Sequence, residues 1–294
     1  PGVWNGWKGQ LLRTLYYETR AVLSGGHDDL SRTERIEQAR NELRPLVADL
    51  GDDEFSRFAD MLTAGYWLRI EPELQARHAR MVCAAMKAGE EFATDVKAHA
   101  FEGVTELSIY SRTRERLIAT IAGACTSAGA NIVGAQISTT RDGFALDTIR
   151  LQREFDRSDD EERRGARIAR TISDLLEGKA DIAEVTANRP RPREALKAFT
   201  VEPQVIIDNS LSEVHTVIEV NCLDRPGLLF DLTREIADLH LDVVSAHIAT
   251  FGEKAVDVFY VTGSDGKKIA TTARQTAVRR RLLSVLSAKV PAAA

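Results

Sequence analysis

An internal repeat constrains the fold of this chain more than any other feature of its sequence. Sliding the sequence by 111 residues brings identical residues into register: Thr105 with Thr216, Arg114 with Arg225, Leu117 with Leu228, Ala135 with Ala246, Ile137 with Ile248 and Thr139 with Thr250. After a one-residue shift, Asp147 meets Asp257. Matches of this kind at one fixed spacing indicate two copies of one structural unit.

Each copy carries the same order of predicted elements, β-α-β-β-α. In the first copy, alternation predicts strands at Thr105–Tyr110, Ile132–Thr140 and Phe144–Phe155, and helical spacing predicts helices over about 117–128 and 159–178. Arg141-Asp142-Gly143 is typical of a hairpin turn. The second copy repeats this order from Val214 and ends with a helix over about 269–286. The pattern predicts an α+β fold with two ferredoxin-like βαββαβ domains.

The second copy lacks a closing strand after its last helix, because residues 288–294 are short and rich in alanine. An unpaired sheet edge favours association with other chains, so we expect another segment to cover it. Val205–Asp208 precedes the polar stretch 210–213. We therefore predict that Val205–Asp208 forms a hairpin with Val214–Asn221.

The first hundred residues have a helical pattern. Leucines and aromatic residues recur at helical spacing from Trp7, and Ser31 with Glu34 forms a capping box that predicts another helix start. Pro72 opens a long helix with acidic residues at its positive end. The chain begins with Pro1 rather than methionine, which favours a piece of a longer protein. The predicted domains are a helical segment 1–100, a first unit 101–186, a linker and edge strand 187–213, and a second unit 214–294.

Composition argues against several classes of function. The net charge of -5 does not favour a nucleic-acid-binding protein, and no apolar run long enough to span a membrane is present. The cysteines Cys83, Cys125 and Cys222 lie far apart in apolar segments, which indicates buried thiols in a reducing, cytoplasmic compartment. No histidine has metal-ligand spacing, and His27-Asp28 falls in a polar loop. We expect no catalytic and no metal residues.

The stretch Asp224-Arg225-Pro226-Gly227-Leu228-Leu229 joins a strand to a helix in the second copy. Proline suits a first helical turn, glycine lets a small ligand come close, and free amides at a helix start bind carboxylates. A well-formed turn without a ligand explains the same residues. The equivalent turn in the first copy, Thr113-Arg114-Glu115-Arg116, lacks the proline and glycine.

The paired units resemble tandem ACT domains, small ferredoxin-like modules that bind amino acids. More narrowly, three stretches resemble the C-terminal part of bifunctional uridylyltransferase/uridylyl-removing enzymes: 3–12 with Trp4 and Trp7, 129–148, and 216–260. The resemblance implies a cytoplasmic bacterial glutamine sensor. L-glutamine would be the effector and PII the modified protein. The helical segment 1–100 would be the tail of the HD region plus a linker. The nucleotidyltransferase domain and the rest of the HD domain, for which Mg²⁺ is expected, would be absent here, leaving no cofactor in this chain.

The same resemblance implies an effector site between the turn of one unit and the second strand of the other. The expected residues are Asp224, Arg225, Pro226, Gly227, Leu228, Leu229, Asn131, Ile132, Asp242 and Val243. The amides of Leu228 and Leu229 would hold a carboxylate, Asp224 or Asp242 an ammonium group, and Asn131 a polar side chain. An N-cap role for Asp224 and a turn role for Asn131 are equally compatible with the sequence.

Two other classes of function are compatible with the sequence. The units could pair as a dimerisation or interaction module without any ligand. Alternatively, the chain could retain phosphodiesterase activity dependent on His27, which we do not expect because a second set of metal-binding histidines is absent from the sequence.

Overall fold

The structure, a computed structural model, describes residues 32–187, 201–251 and 253–287. The N-terminal stretch with Trp4 and Trp7, the capping Ser31, the pair His27-Asp28 and the proline-rich loop from Asn188 lie outside these ranges. Within the described ranges, the chain starts with four helices: α1 (Arg32–Leu46), α2 (Asp52–Met61), the short α3 (Ala64–Trp67) and α4 (Pro72–Ala88). Pro72 occupies the first helical turn of α4, as predicted, and Gly89 ends that helix in the left-handed conformation.

Unit one consists of four strands and two long helices. These are β1 (Phe92–His99), β2 (Val104–Arg112), α5 (Leu117–Ser127), β3 (Ile132–Gln136), β4 (Phe144–Gln152) and α6 (Ser158–Leu176). The short α7 (Ile182–Thr186) follows, capped by the side chain of Asp181. The elements predicted between Thr105 and Gly178 are confirmed.

One boundary of the helical segment was predicted wrongly. Residues 92–99 form β1, antiparallel to β2 with Val96 opposite Leu107, rather than the end of the helical segment. The sequence of this strand shows only weak alternation of apolar and polar residues. It lies at the edge of the sheet, and nearly all of its residues are half-buried, so no strongly apolar face marks it as a strand. Unit one therefore takes its closing strand from the chain before it, so its boundary lies before Phe92 rather than at residue 101.

Unit two repeats this arrangement. It contains β5 (Gln204–Asp208), β6 (Thr216–Leu223), α8 (Leu228–Asp238), β7 (Leu241–Phe251), β8 (Lys254–Gly263) and α9 (Thr272–Ser287). The predicted hairpin is confirmed, because β5 pairs antiparallel with β6, with Val205 opposite Val220 and Ile207 opposite Ile218. In both units, the strand that closes the sheet comes first in the chain.

The two units form one eight-stranded sheet in the order β1-β2-β4-β3-β7-β8-β6-β5. The junction is the antiparallel pair β3 and β7, where Ala135 faces Ile248 and Gln136 faces His247. One continuous apolar core lies between this sheet and the helices of both units. Cys125 and Cys222 are buried within this core and Cys83 elsewhere, which confirms the prediction of buried thiols.

The helical segment covers the opposite face of the sheet, over unit one. Its own core includes Tyr110 and Leu146 from that face. His78 on α4 is fully buried where this helix packs against the sheet. Among the described helices, none is long and apolar enough to cross a membrane.

Candidate functional site

Each unit turns from its first long strand into a helix with the same backbone geometry. Gly227 caps α8 with φ of 76°, and its counterpart Arg116 caps α5 with φ of 63°. In both turns the first helical amide donates to the residue three positions back: Leu228 N to Arg225 O at 3.1 Å and Leu117 N to Arg114 O at 3.2 Å. Glycine adopts this left-handed conformation without strain, whereas arginine does so at a cost.

The turn of unit two and the start of β3 from unit one line one cleft, open to solvent, with about 350 Å³ of space including its mouth. Seven of the predicted site residues line it: Asn131, Ile132, Asp224, Arg225, Gly227, Leu228 and Leu229. Thr126, Ala130, Ile248, Thr250, Ala255 and Asp257 complete the lining. The cleft therefore belongs to both units.

The predicted residues Asp242 and Val243 do not line this cleft. They lie at the start of β7, where Asp242 is opposite Thr262, whereas the cleft meets β7 at Ile248 and Thr250. Ile248 lies six residues after Asp242 along this strand, on the order of 20 Å at about 3.3 Å per residue. Asp242 thus cannot share a ligand with Asp224 in this arrangement. Pro226 lies in the turn but not in the cleft wall.

Asp224 connects the two units. Asn131 Nδ2 donates to Asp224 Oδ2 at 3.5 Å and to Gln152 Oε1 at 3.4 Å, both long hydrogen bonds. Burial raises the pKa of the Asp224 carboxyl, with Asn131 and Arg225 opposing that effect and Glu253 adding to it. The cap residue of α8 is Gly227, so Asp224 is not the N-cap. Its carboxylate faces the other unit instead.

Arg225 is held by its own unit. Its guanidinium donates to Asp231 Oδ2 at 2.7 Å and to the carbonyl of Val285 on α9 at 3.5 Å. These contacts fix the turn against α8 and α9. Of the two amides proposed for a carboxylate, Leu228 N already donates within the turn, while Leu229 N has no hydrogen-bond partner among the described residues. Leu229 therefore offers the freer donor.

Asp257 is the residue of the cleft that the sequence interpretation missed. It is 2% exposed on β8, and its Oδ1 has no hydrogen-bond partner within the described part of the chain. Burial and then the charge of Asp224 raise the pKa of Asp257 to about 8. The repeat contained a signal, because Asp147 and Asp257 coincide within otherwise apolar strands. Burial of a carboxylate without a cation is costly, so such a match favours a specific role.

A contact joins the helical segment to unit two. Arg69, between α3 and α4, donates to Ser245 Oγ at 3.2 Å and lies 3.4 Å from His247 Nε2 on β7. His247 is opposite Gln136 at the junction of the units. Sequence patterns could not reveal this contact, since Arg69 and Ser245 are far apart in the chain and the contact is exposed to solvent.

Comparison with known proteins agrees with this architecture. Residues 204–291 match a family described as ACR9-like, ACT-like domain. This match begins at the first residue of β5, so it includes the strand that closes unit two. Unit two is therefore similar to an ACT-like domain. The α+β, ferredoxin-like fold predicted from the repeat is thereby confirmed.

Over its full length, the chain is also similar to part of a larger enzyme. It is 50% identical over 293 residues to the bifunctional uridylyltransferase/uridylyl-removing enzyme of Bradyrhizobium sp. strain BTAi1. The same identity and length hold for the enzyme of that name from Bradyrhizobium sp. strain ORS 278. All of this chain is covered, but it spans only 32% of the length of these relatives. The resemblance drawn from the sequence is confirmed.

Proposed function

We propose that this chain is the glutamine-sensing regulatory region of a bifunctional uridylyltransferase/uridylyl-removing enzyme that modifies PII and controls nitrogen assimilation. The catalytic steps, the Mg²⁺ they need and the contact with PII would belong to the rest of that protein, its nucleotidyltransferase and HD domains. The cytoplasmic location stays a prediction. The observation that carries the proposal is the cleft shared by Asn131 of unit one and Asp224 to Leu229 of unit two.

The chemistry of the cleft suits an α-amino acid. Leu229 N at the positive end of α8 favours a carboxylate, Asp224 favours an ammonium group, and the Asn131 amide suits a polar side chain such as that of glutamine. The apolar wall of Ile132 and Ile248 excludes water from one side. An α-amino acid carries an ammonium group and a carboxylate on the same carbon. It therefore complements Asp224 and Leu229 N together, which a simple cation or anion does not.

A ligand held by both units favours one relative arrangement of them. The shift in any coupled equilibrium equals the difference in affinity between arrangements. The helical segment packs on unit one and also contacts unit two through Arg69 and Ser245. A change at the unit junction would therefore reach the helical segment, and through it any domain placed before it.

The test is isothermal titration of this chain with L-glutamine, comparing the unchanged protein with Gly227→Asp. The substitution places a carboxylate and a Cβ in the left-handed turn that lines the cleft, and we expect saturable heat to disappear. Gly266→Asp is the matched control. Gly266 has a similar φ of 71° and open space around its Cα, and it does not line the cleft.

Aspartate in the left-handed region costs about 1 kcal/mol of strain at both positions. Loss of binding only in Gly227→Asp would therefore be an effect of the substitution on the cleft and not of backbone strain in general. Equal loss in both variants would contradict the proposed site. No heat with the unchanged protein would leave a ligand-free dimerisation module. One feature of the sheet favours dimerisation: its edge strands β1 and β5 have hydrogen-bonding edges that are free of other described strands and could pair with another chain, and Ile206 on β5 is 47% exposed.

A further inference from the structure

A second carboxylate, that of Asp257, lines the cleft in addition to Asp224. Asp257 lines the same cleft from β8, is 2% exposed, and has an oxygen without a hydrogen-bond partner among the described residues. Buried carboxylates are normally hydrogen-bonded or paired with a cation. The described residues that line the cleft include one cation, Arg225, and its guanidinium is bonded to Asp231. Among the described residues that line the cleft, none therefore supplies Asp257 with a free cation to stabilise its ionised form.

We propose that Asp257 and Asp224 together form the binding site for a primary ammonium group of the effector. This inference rests on the proposed function and deepens it, since it assigns the recognition of the amine to a residue on β8. Two carboxylates from different elements surround a small cation from two sides, which a single turn residue cannot do. The site would accept α-amino acids and reject analogues that lack the amine.

The geometry supplies a reason for this selectivity. Without a ligand, Asp257 avoids the cost of a buried charge by keeping its proton, as its pKa of about 8 indicates. An ammonium group beside it stabilises the ionised form, so a proton leaves Asp257 for solvent as the amine binds. A ligand without the amine provides no such stabilisation.

The groups that face Asp257 determine the sign of the pH dependence. From the preceding turn come Asp224 and Arg225, from β6 the Cys222 thiol, and from β7 the backbone of Ala249, which hydrogen-bonds the carboxyl. Glu253, in the turn between β7 and β8, acts on Asp224. The pKa of the Cys222 thiol is raised to about 12 by burial first, so this thiol stays neutral. Asp257 is therefore the carboxyl of the cleft expected to titrate near pH 8 in the absence of a ligand.

The experiment is calorimetric titration of the full chain at pH 8 and pH 6.5 with L-glutamine and with glutaric acid monoamide, which has the same skeleton without the amine. We expect the unchanged protein to bind glutamine at least about tenfold more tightly than the monoamide, the scale of one charge-assisted contact. Glutamine binding should weaken by up to about tenfold per pH unit below 8, with net proton release measured in buffers of different ionisation enthalpy.

Asp257→Asn should lower glutamine affinity about tenfold or more and remove both the proton release and the pH dependence. Asp147→Asn is the matched control. Asp147 is the repeat-equivalent residue in unit one, equally buried, and outside the cleft lining. It should leave the affinity for glutamine within about twofold of the unchanged protein.

Three outcomes would overturn the inference while leaving glutamine sensing intact. They are equal affinity of the unchanged protein for glutamine and its monoamide, unchanged affinity in Asp257→Asn, and equal losses in the Asp257 and Asp147 variants. The first comparison needs no variant and so does not depend on folding. Absence of glutamine binding by the unchanged protein would instead contradict the proposed function, and this inference with it.

Discussion

His78 shows how one buried polar residue joins the helical segment to unit one. Its Nδ1 lies 2.9 Å from the hydroxyl of Tyr66, and its Nε2 lies 3.0 Å from Ser108 Oγ on β2 and 3.2 Å from Thr148 Oγ1 on β4. Burial lowers the pKa of His78 to about 3. The imidazole is therefore neutral in the folded protein, and its ring nitrogens satisfy partners from three elements.

This arrangement predicts a loss of stability in mild acid. The folded-state pKa of about 3 lies below the ordinary value of 6.5, so the unfolded chain binds a proton at His78 that the folded chain does not. The contribution of neutral His78 to the free energy of unfolding is present above pH 6.5 and is lost as the pH falls toward 3. From pH 7 to pH 4.5 the unfolding free energy should fall by about 2–3 kcal/mol more in the unchanged protein than in His78→Gln.

Urea denaturation of both proteins at the two pH values measures this difference. The comparison between pH values removes any constant cost of the substitution itself, such as altered packing around Tyr66. Stability curves that run parallel from pH 7 to pH 4.5 would show that His78 binds a proton without unfolding.

At the scale of elements, the two closing strands show what a sequence can and cannot predict. β5 was predicted because unit two visibly lacked a final strand and Val205–Asp208 precedes a turn. β1 was missed, because residues 92–99 follow directly on α4 and their polar and apolar residues alternate weakly. The pairing of β1 with β2 is decided by the unfilled edge of unit one, which is a tertiary effect that no local pattern contains.

Neighbouring residues of β5 should differ sharply in their contribution to stability. Val205 is 6% exposed and belongs to the main core, whereas Ile206 is 47% exposed on the other face. Val205→Ala should lower the unfolding free energy by about 2 kcal/mol, since it leaves a cavity. Ile206→Ala should change it by less than about 0.5 kcal/mol. Chemical denaturation measures both, and the reverse order would mean that β5 lies in a different register.

At the scale of the whole molecule, the repeat predicted the number and type of units but not how they combine. The continuous sheet depends on the pairing of Ala135 with Ile248. The repeat instead matches Ala135 with Ala246 and Ile137 with Ile248, which shows equivalent positions and not contacts. Asn131 and Asp224 were assigned to one site from the resemblance, and the structure brings them together. Asp242, the predicted alternative to Asp224 for an ammonium group, does not line the cleft, because it lies at the start of β7 opposite Thr262, whereas the cleft meets β7 at Ile248 and Thr250.

The units also meet through their helices. A Cβ at Gly123 on α5 would lie 2.5 Å from Ile182 Cδ1 and 3.1 Å from Phe230 Cε2 on α8. The absence of a side chain at Gly123 lets the Phe230 ring of α8 and the Ile182 side chain of α7 pack closely against α5. Thr126, one turn further along α5, and Leu229, next to Phe230, both line the cleft. The spacing of α5 and α8 therefore sets the width of the candidate effector site.

Gly123→Ala should weaken glutamine binding without changing any residue of the cleft. The added methyl group would push the end of the Ile182 side chain aside and press on the Phe230 ring, so we expect a stability loss of about 1 kcal/mol and a small shift of α8, which forms one wall of the site. Gly165→Ala is the matched control, because its Cβ would collide with Val96 inside unit one, away from the junction. We expect both variants to unfold at lower urea concentration, but only Gly123→Ala to lose several-fold in glutamine affinity by calorimetry. Equal affinities would show that the cleft adjusts independently of the contact between α5 and α8.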